Sequence, residues 1–188
     1  MKDQEIIDKI RENLSKRVET DKIMWFSFHL LLSITTFGLA LFPTIYRLIE
    51  RRNKHFQRQK ELEDLILARL KNKGINIEVE PENCRRRSSL LWSTSILLIA
   101  PIFAIAFLLS KDLHLHERRQ ASLFRKVLGK EEIKEQKINL KFYAMLTLAT
   151  LGVGIVYWFY RIFNDYNNHF KEQWRIEDKL IELLQRGD

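Results

Sequence analysis

One cysteine, three prolines and six glycines among 188 residues leave the chain little covalent chemistry and little punctuation. The lone Cys84 excludes an intramolecular disulfide, and its place before Arg85, Arg86 and Arg87 reads as an inert thiol beside a basic cluster. No nucleophile with a partnering base, no Cys/His metal spacing and no phosphate-cradling glycine loop occurs, so the chain reads as no enzyme and as needing no cofactor. A cleaved signal peptide is not expected either: the first apolar run follows some 22 largely charged residues and is too long for an h-region. Charge is missing from three long stretches. Residues 23–46, 88–110 and 142–160 contain no Asp, Glu, Lys or Arg, although 30% of the whole chain is charged and its mean hydropathy is −0.25.

Runs of 24, 23 and 19 residues each reach the length of about 20 needed to cross a hydrocarbon core of about 30 Å. The expected fold class is therefore an all-α membrane protein with three transmembrane helices. Pro43 in the first run is expected to kink its span, and Pro101 lies near the middle of the second. Gly152 and Gly154 in the third allow close helix approach. His29, about one turn into the first span, reads as a snorkelling or hydrogen-bonded side chain, and Tyr143 stands in its place later.

What is present is a duplication. Residues 36–70 return as residues 150–184 at a constant offset of 114, with eleven identities that include Thr36/Thr150, Gly38/Gly152, Asn53/Asn167, His55/His169, Phe56/Phe170, Gln59/Gln173 and Glu63/Glu177. Each copy passes from an uncharged run into a charged helical pattern. From Thr44 to about Lys73 nothing breaks a helix until Gly74, and the second copy runs on to Gly187. Upstream, residues 2–21 place Ile6, Ile7, Ile10, Leu14 and Val18 on one face of an amphipathic helix. Residues 120–135, with Leu123, Phe124, Val127, Leu128 and Ile133, are its expected counterpart. Residues 74–84 read as a loop or short extended piece, with Ile75, Ile77 and Val79 alternating and Pro81 ending the run. The domain reading is 1–74 for repeat 1, 75–114 for loop and second span, and 115–188 for repeat 2.

Two copies folding alike must point the same way through a bilayer, which one intervening crossing permits. Lys and Arg summed on the two sides come to 17 and 15, too even to orient the chain. The net charge of +5 over residues 47–60 places the long helices in the cytoplasm of a multi-pass cell-membrane protein. Residues 58 and 172 then lie on one side and residue 116 on the other.

Heptad positions counted from Tyr46 and Tyr160 give a coiled-coil seam that pairs Asn53 with Asn167 and Phe56 with Phe170, and that sets Glu63 against Glu177. A second stripe flanks it: His55, Gln59, Leu62 and Ile66, and in the other copy His169, Gln173, Ile176 and Leu180. Together these are the expected partner-binding residues, since two stripes are wider than one helix pairing requires. Gln59 and Gln173 stand where a second metal ligand would be, and His114 and His116 in KDLHLHER read as a polar loop, so no metal is expected.

Thr150, Gly152, Trp158, Tyr160 and Arg161 resemble a class of small prokaryotic membrane proteins of unknown function, whose spans run T-x-G-(I/V), an aromatic cluster with Trp, then Tyr and a base. The first copy has Thr44 where the Trp stands. The resemblance implies a membrane protein. The expected function is a non-enzymatic membrane anchor or assembly subunit, bound to the lipid bilayer and to a protein partner or a second copy. A small channel or transporter subunit is the alternative. Nucleic-acid binding is not expected, because the bases of this +8 chain lie where topology and anionic lipid account for them.

Overall fold

The computed structural model describes residues 3–79, 85–128 and 136–186, with side chains described up to residue 183. Cys84, Pro81, Ile133 and Gly187, to which roles are given above, and the side chain of Leu184 lie outside the described residues.

The uncharged runs do not form spans. Among the described residues no helix is long and apolar enough to cross a membrane. Each run breaks in its middle into a short apolar helix, a reversal, and the start of a long polar helix. The short helices are α3 (Phe26–Thr35), α5 (Ser89–Ser95) and α7 (Leu140–Ala149); the long ones are α4 (Leu41–Asn72), α6 (Ala100–Leu128) and α8 (Gly154–Arg186). Ahead of them lie α1 (Asp3–Ser15) and the single turn α2 (Arg17–Thr20). The long helices are polar and the apolar helices are short, which overturns the three-transmembrane fold, the multi-pass cell-membrane location and the cytoplasmic assignment that depended on it.

The reversal is written in the Thr-x-Gly shared by both copies. Phe37 and Gly38 adopt φ of 51° and 88°, and Leu151 and Gly152 follow at 49° and 98°, a left-handed pair that ends an α-helix. Gly38 N–H donates to the Ser33 carbonyl at 2.7 Å and Gly152 N–H to the Thr147 carbonyl at 2.8 Å, the long Schellman bond in each copy. The Thr hydroxyl then caps the outgoing helix. Thr36 Oγ1 accepts from Ala40 N–H at 3.0 Å and Thr150 Oγ1 from Gly154 N–H at 2.7 Å. Paired contacts on either side of each reversal show antiparallel arms: His29 Nδ1 to Thr44 Oγ1 at 3.0 Å, and Arg161 Nε to Tyr143 OH at 3.2 Å. In the middle run a 3-10 turn, Ile96–Leu98, leads into Ile99 at φ 58°, ψ −56°, and Arg87 meets Asp112 across the bend at 2.7 and 2.8 Å. Pro43 falls in the first turn of α4, where a missing N–H costs nothing, so it does not give the expected kink, and Pro101 stands likewise in the first turn of α6.

The duplication is thus two members of a set of three. Unit 1 is α3–α4, unit 2 is α5–α6 and unit 3 is α7–α8. Their long helices run side by side in one direction, and each packs on the short helix of the next unit: α4 on α5, α6 on α7, α8 on α3. An upper core joins Ile45, Leu48, Leu109, Leu113, Ile162 and Phe163. A lower core joins Leu62, Ile66, Phe124, Ile176 and Leu180 with Ile6, Ile10 and Leu14 of α1. The amphipathic helix therefore covers its own chain, apart from Val18, which is 77% exposed. Of its expected counterpart at 120–135, residues 120–128 are instead the end of α6, and the rest lies outside the described residues.

α4 and α8 do face each other in register, but not through the expected seam. Tyr46 and Tyr160 are exposed. Asn53 turns away to clamp the backbone of Arg87, donating to its carbonyl at 2.7 Å and accepting from its N–H at 3.1 Å. Asn167 clamps Met24 in the same way, at 2.7 and 3.1 Å. Each Asn thus fastens the entry of the following hairpin. Glu63 and Glu177 do not oppose one another either: Glu63 pairs with Arg119, and Glu177 with Arg58 at 2.8 Å.

Candidate metal centre

The three long helices carry one pattern at matching depth: His55-x-x-x-Gln59 on α4, His116-x-x-x-Gln120 on α6 and His169-x-x-x-Gln173 on α8. Residues four apart lie one turn apart on a helix face, so parallel helices in register stack a layer of three imidazoles on a layer of three amides. His116 is therefore no polar loop residue. It lies beside His55 and His169, whereas the three-span reading put it on the opposite side from them. Ring centroids are 5.0 Å apart for His55–His169 and 5.4 Å for each pair that includes His116. One ring nitrogen from each converges, all within 4.8 Å of one another, and the three side chains are 0%, 1% and 5% exposed.

Carboxylates orient two of the rings from behind. Asp21 Oδ1 receives His55 Nδ1 at 2.8 Å and Glu117 Oε1 receives His169 Nδ1 at 3.1 Å. An ionised carboxylate only accepts, so each Nδ1 carries a proton, and a ring that is otherwise neutral presents a lone pair at Nε2. The two Nε2 atoms then face each other at 3.0 Å. His116 stacks on Phe56, centroids 4.0 Å apart, and Phe170 lies against His55 at 4.5 Å. Burial, reinforced by the neighbouring His169 and His116, holds His55 well below its ordinary value despite Asp21, which keeps the ring neutral.

Asp21 is held by four donors. Besides His55 it accepts from the Thr20 hydroxyl and from Arg58 Nη2, each at 2.7 Å, and from Trp174 Nε1 at 2.8 Å. Burial would raise its carboxyl, but His55, Arg58 and Thr20 outweigh that and hold it below the usual carboxylate range. In the amide layer Gln120 and Gln173 donate to Gln59 Oε1 at 2.8 and 3.0 Å, and Gln59 donates to Glu177 Oε1 at 2.6 Å. Glu177 is wholly enclosed, and burial raises its carboxyl against the pull of Arg58 and Gln59.

All twelve expected partner-binding residues, Asn53, His55, Phe56, Gln59, Leu62, Ile66, Asn167, His169, Phe170, Gln173, Ile176 and Leu180, are at most 7% exposed. The chain's own α6, α1 and hairpin entries lie against the stripe. Sequence reasoning missed His116, Gln120, Asp21 and Glu117. The threefold H-x-x-x-Q was available as a signal, but unit 2 follows unit 1 at an offset of 61 and precedes unit 3 by 53, so a search at one constant offset passes over it.

Comparison with protein-family models, with curated proteins and with solved structures returns no match.

Proposed function

We propose that this chain is a non-enzymatic metal-binding protein, in which His55, His116 and His169 hold one divalent first-row transition-metal ion on the axis of the three long helices. The observation that carries the reading is the approach of the two Nε2 atoms to 3.0 Å, where two lone pairs would repel unless a proton or a metal cation lies between them. Two nitrogens bound to one tetrahedral zinc at about 2.0–2.1 Å stand roughly 3.3 Å apart, close to this separation. The carboxylate behind each of two rings is the usual second shell of a metal-ligating histidine. Neutral imidazole without sulfur suits zinc, copper, iron or nickel, and the hard oxygen-seeking ions poorly. Three imidazoles fill three of the four positions of a tetrahedral ion, and their enclosure on all sides favours a site that stabilises the fold over one that admits a substrate.

Zinc titration of the metal-stripped chain tests this, read by bound metal per chain and by thermal melting. One zinc per chain is expected. At about a hundredfold excess over Kd the linkage gain of about 2.7 kcal/mol raises Tm by roughly 5–11 °C for a chain of this size. His116→Leu should abolish uptake while far-ultraviolet dichroism stays helical. Absence of uptake and of any shift would mean that a shared proton, not a metal, separates His55 from His169.

A further inference from the structure

The metal reading leaves the hairpin end of the molecule without a role, and its surface chemistry is unlike the rest. Phe37 and Leu151, at the reversals, are 99% and 96% exposed, and Ile99 at the middle reversal is 69% exposed. Parallel long helices in register put all three reversals at one end. The arms behind them also turn apolar side chains outward, among them Leu31, Leu97 and Leu148 at 63%, 74% and 77%. Between the hairpins lies an apolar cavity of about 340 Å³, lined from all three units by residues such as Phe26, Ile34, Ile102 and Phe159. Contiguous apolar surface of this extent on one end marks an interaction site.

Charge at the base of the hairpins selects the partner. Each of the three uncharged runs is bounded on both sides by a base: Lys22 and Arg47, Arg87 and Lys111, Lys141 and Arg161. Lys22, Arg47, Lys111 and Lys141 are exposed, and Arg85 and Arg86 add to them. The acids at that level face inward or are bonded: Glu50 to Ser89, Asp112 to Arg52 and Arg87, Asp165 to Arg161. Aromatic side chains with polar tips share the same level, with Trp25 70% exposed and Tyr46, Tyr157 and Tyr160 near 43%. A basic and aromatic collar around an apolar tip is the pattern of a lipid interface, where Trp and Tyr sit at the headgroups and Lys and Arg meet anionic lipid. Depth agrees. The ten residues of α3 rise about 15 Å, half of a hydrocarbon core of about 30 Å.

We propose that the three hairpin tips dock into a single leaflet of an anionic lipid bilayer, with the basic collar at the headgroups and both chain ends and the histidine centre on the same side. No helix crosses. Insertion of this kind is interfacial, driven by buried apolar area and by attraction of the collar to the surface.

The test is flotation of the full chain with vesicles of phosphatidylcholine alone or mixed with phosphatidylglycerol. The chain should float with the mixed vesicles, and raised salt or omission of the anionic lipid should weaken its binding. Phe37→Asp with Leu151→Asp removes two side chains whose burial is each worth about tenfold or more in partition. Asp accepts left-handed φ better than most residues, so helicity should be unchanged while the double variant stays in the bottom fraction. Val18→Asp, away from the tips, should float like the parent. The proposal is overturned if the parent does not float, if the double variant floats equally, or if the parent is a dimer in buffer that the double variant splits, since a second copy would then occupy the tips. None of these readouts depends on metal, so failure here leaves the zinc titration undisturbed.

Discussion

Gly154→Ala sets local propensity against tertiary packing, and the two give opposite signs. Gly154 opens α8 with an unremarkable backbone, and Ala in a helix is worth up to about 1 kcal/mol more than Gly, so propensity alone has the variant melt higher. A Cβ built there, however, meets Leu146 C and O and Thr147 Cα of α7, all at 2.9 Å. These are backbone atoms, with no rotamer to relieve them. The hairpin would have to open by several tenths of an ångström, which also stretches the 2.7 Å bond from Gly154 N–H to Thr150 Oγ1. Overpacking of this kind costs typically about 1–3 kcal/mol.

The net expectation is a loss of roughly 1–2 kcal/mol, or about 2–8 °C in Tm for a chain of this length. Thermal melts followed by circular dichroism, with parent and variant in identical buffer, measure it. Ala40, the equivalent position of unit 1, already carries a Cβ and is 6% exposed, so the first hairpin has the room that the third lacks. Ala40→Gly should therefore lose about 1 kcal/mol through backbone freedom, with no relief of strain. A rise in Tm for Gly154→Ala would refute the close approach of α7 and α8.

Asn53→Leu separates the clamp from a coiled-coil seam. A seam Asn replaced by Leu would stabilise, whereas here two bonds to the Arg87 backbone are lost, so Tm should fall by an amount equivalent to about 2–3 kcal/mol. Asp165 supplies a pH test. Burial raises its pKa from 3.8 to about 6, against the pull of Arg161 and with help from Glu117. The native state then holds this proton more tightly than the unfolded chain, so the contribution of Asp165 is largest below about pH 4 and is lost as pH rises through about 6. Relative to Asp165→Asn, which does not titrate there, the parent should lose up to about 3 kcal/mol between those limits, read as the difference between their urea midpoints across pH.

The long helices were legible because the sequence carries their limits locally: α4 starts beside Pro43 and stops before Gly74, with nothing between to break it. The membrane spans were misread because an uncharged run shows only that its surroundings are apolar, not that one helix fills it. Thr36-x-Gly38 and Thr150-x-Gly152 in mid-run, and prolines in the first turns of α4 and α6, were the reversals and starts that divided each run in two. The stripe of His55, Gln59, Leu62 and Ile66 was read as a wide face that a partner protein or a second copy of the chain would cover. Its cover was a third long helix that shares with the others little beyond His116 and Gln120. Asp21 could not be found at all from spacing, because it reaches His55 across 34 residues through a tertiary contact.

The axis itself argues for function over stability. Two turns above the histidines come Leu48, Leu109 and Ile162, and one turn below the glutamines come Leu62, Leu123 and Ile176, all at most 4% exposed. Between them the enclosed polar side chains are the three histidines, the three glutamines and, in the turn above the histidines, Arg51, Arg52 and Asp112, and bulk water does not offset their desolvation. Ions enclosed with them, Asp21, Arg58 and Glu177, add a penalty that mutual attraction seldom recovers fully, and apolar residues of like volume commonly pack as stably or better. Helix pairing does not require such layers, as the neighbouring ones show. A cation at the three imidazoles changes the balance, since it binds the lone pairs that otherwise repel and makes Asp21 and Glu117 its second shell. Asp21 lies in the segment between α2 and α3, directly ahead of the first hairpin, so whatever fixes His55 also fixes the base of that hairpin. Loss of the cation should then loosen residues 20–26 before it loosens the apolar layers, an order that amide hydrogen exchange on the metal-stripped chain would read as early loss of protection at Asp21 N–H, which bonds the Arg17 carbonyl at 2.8 Å.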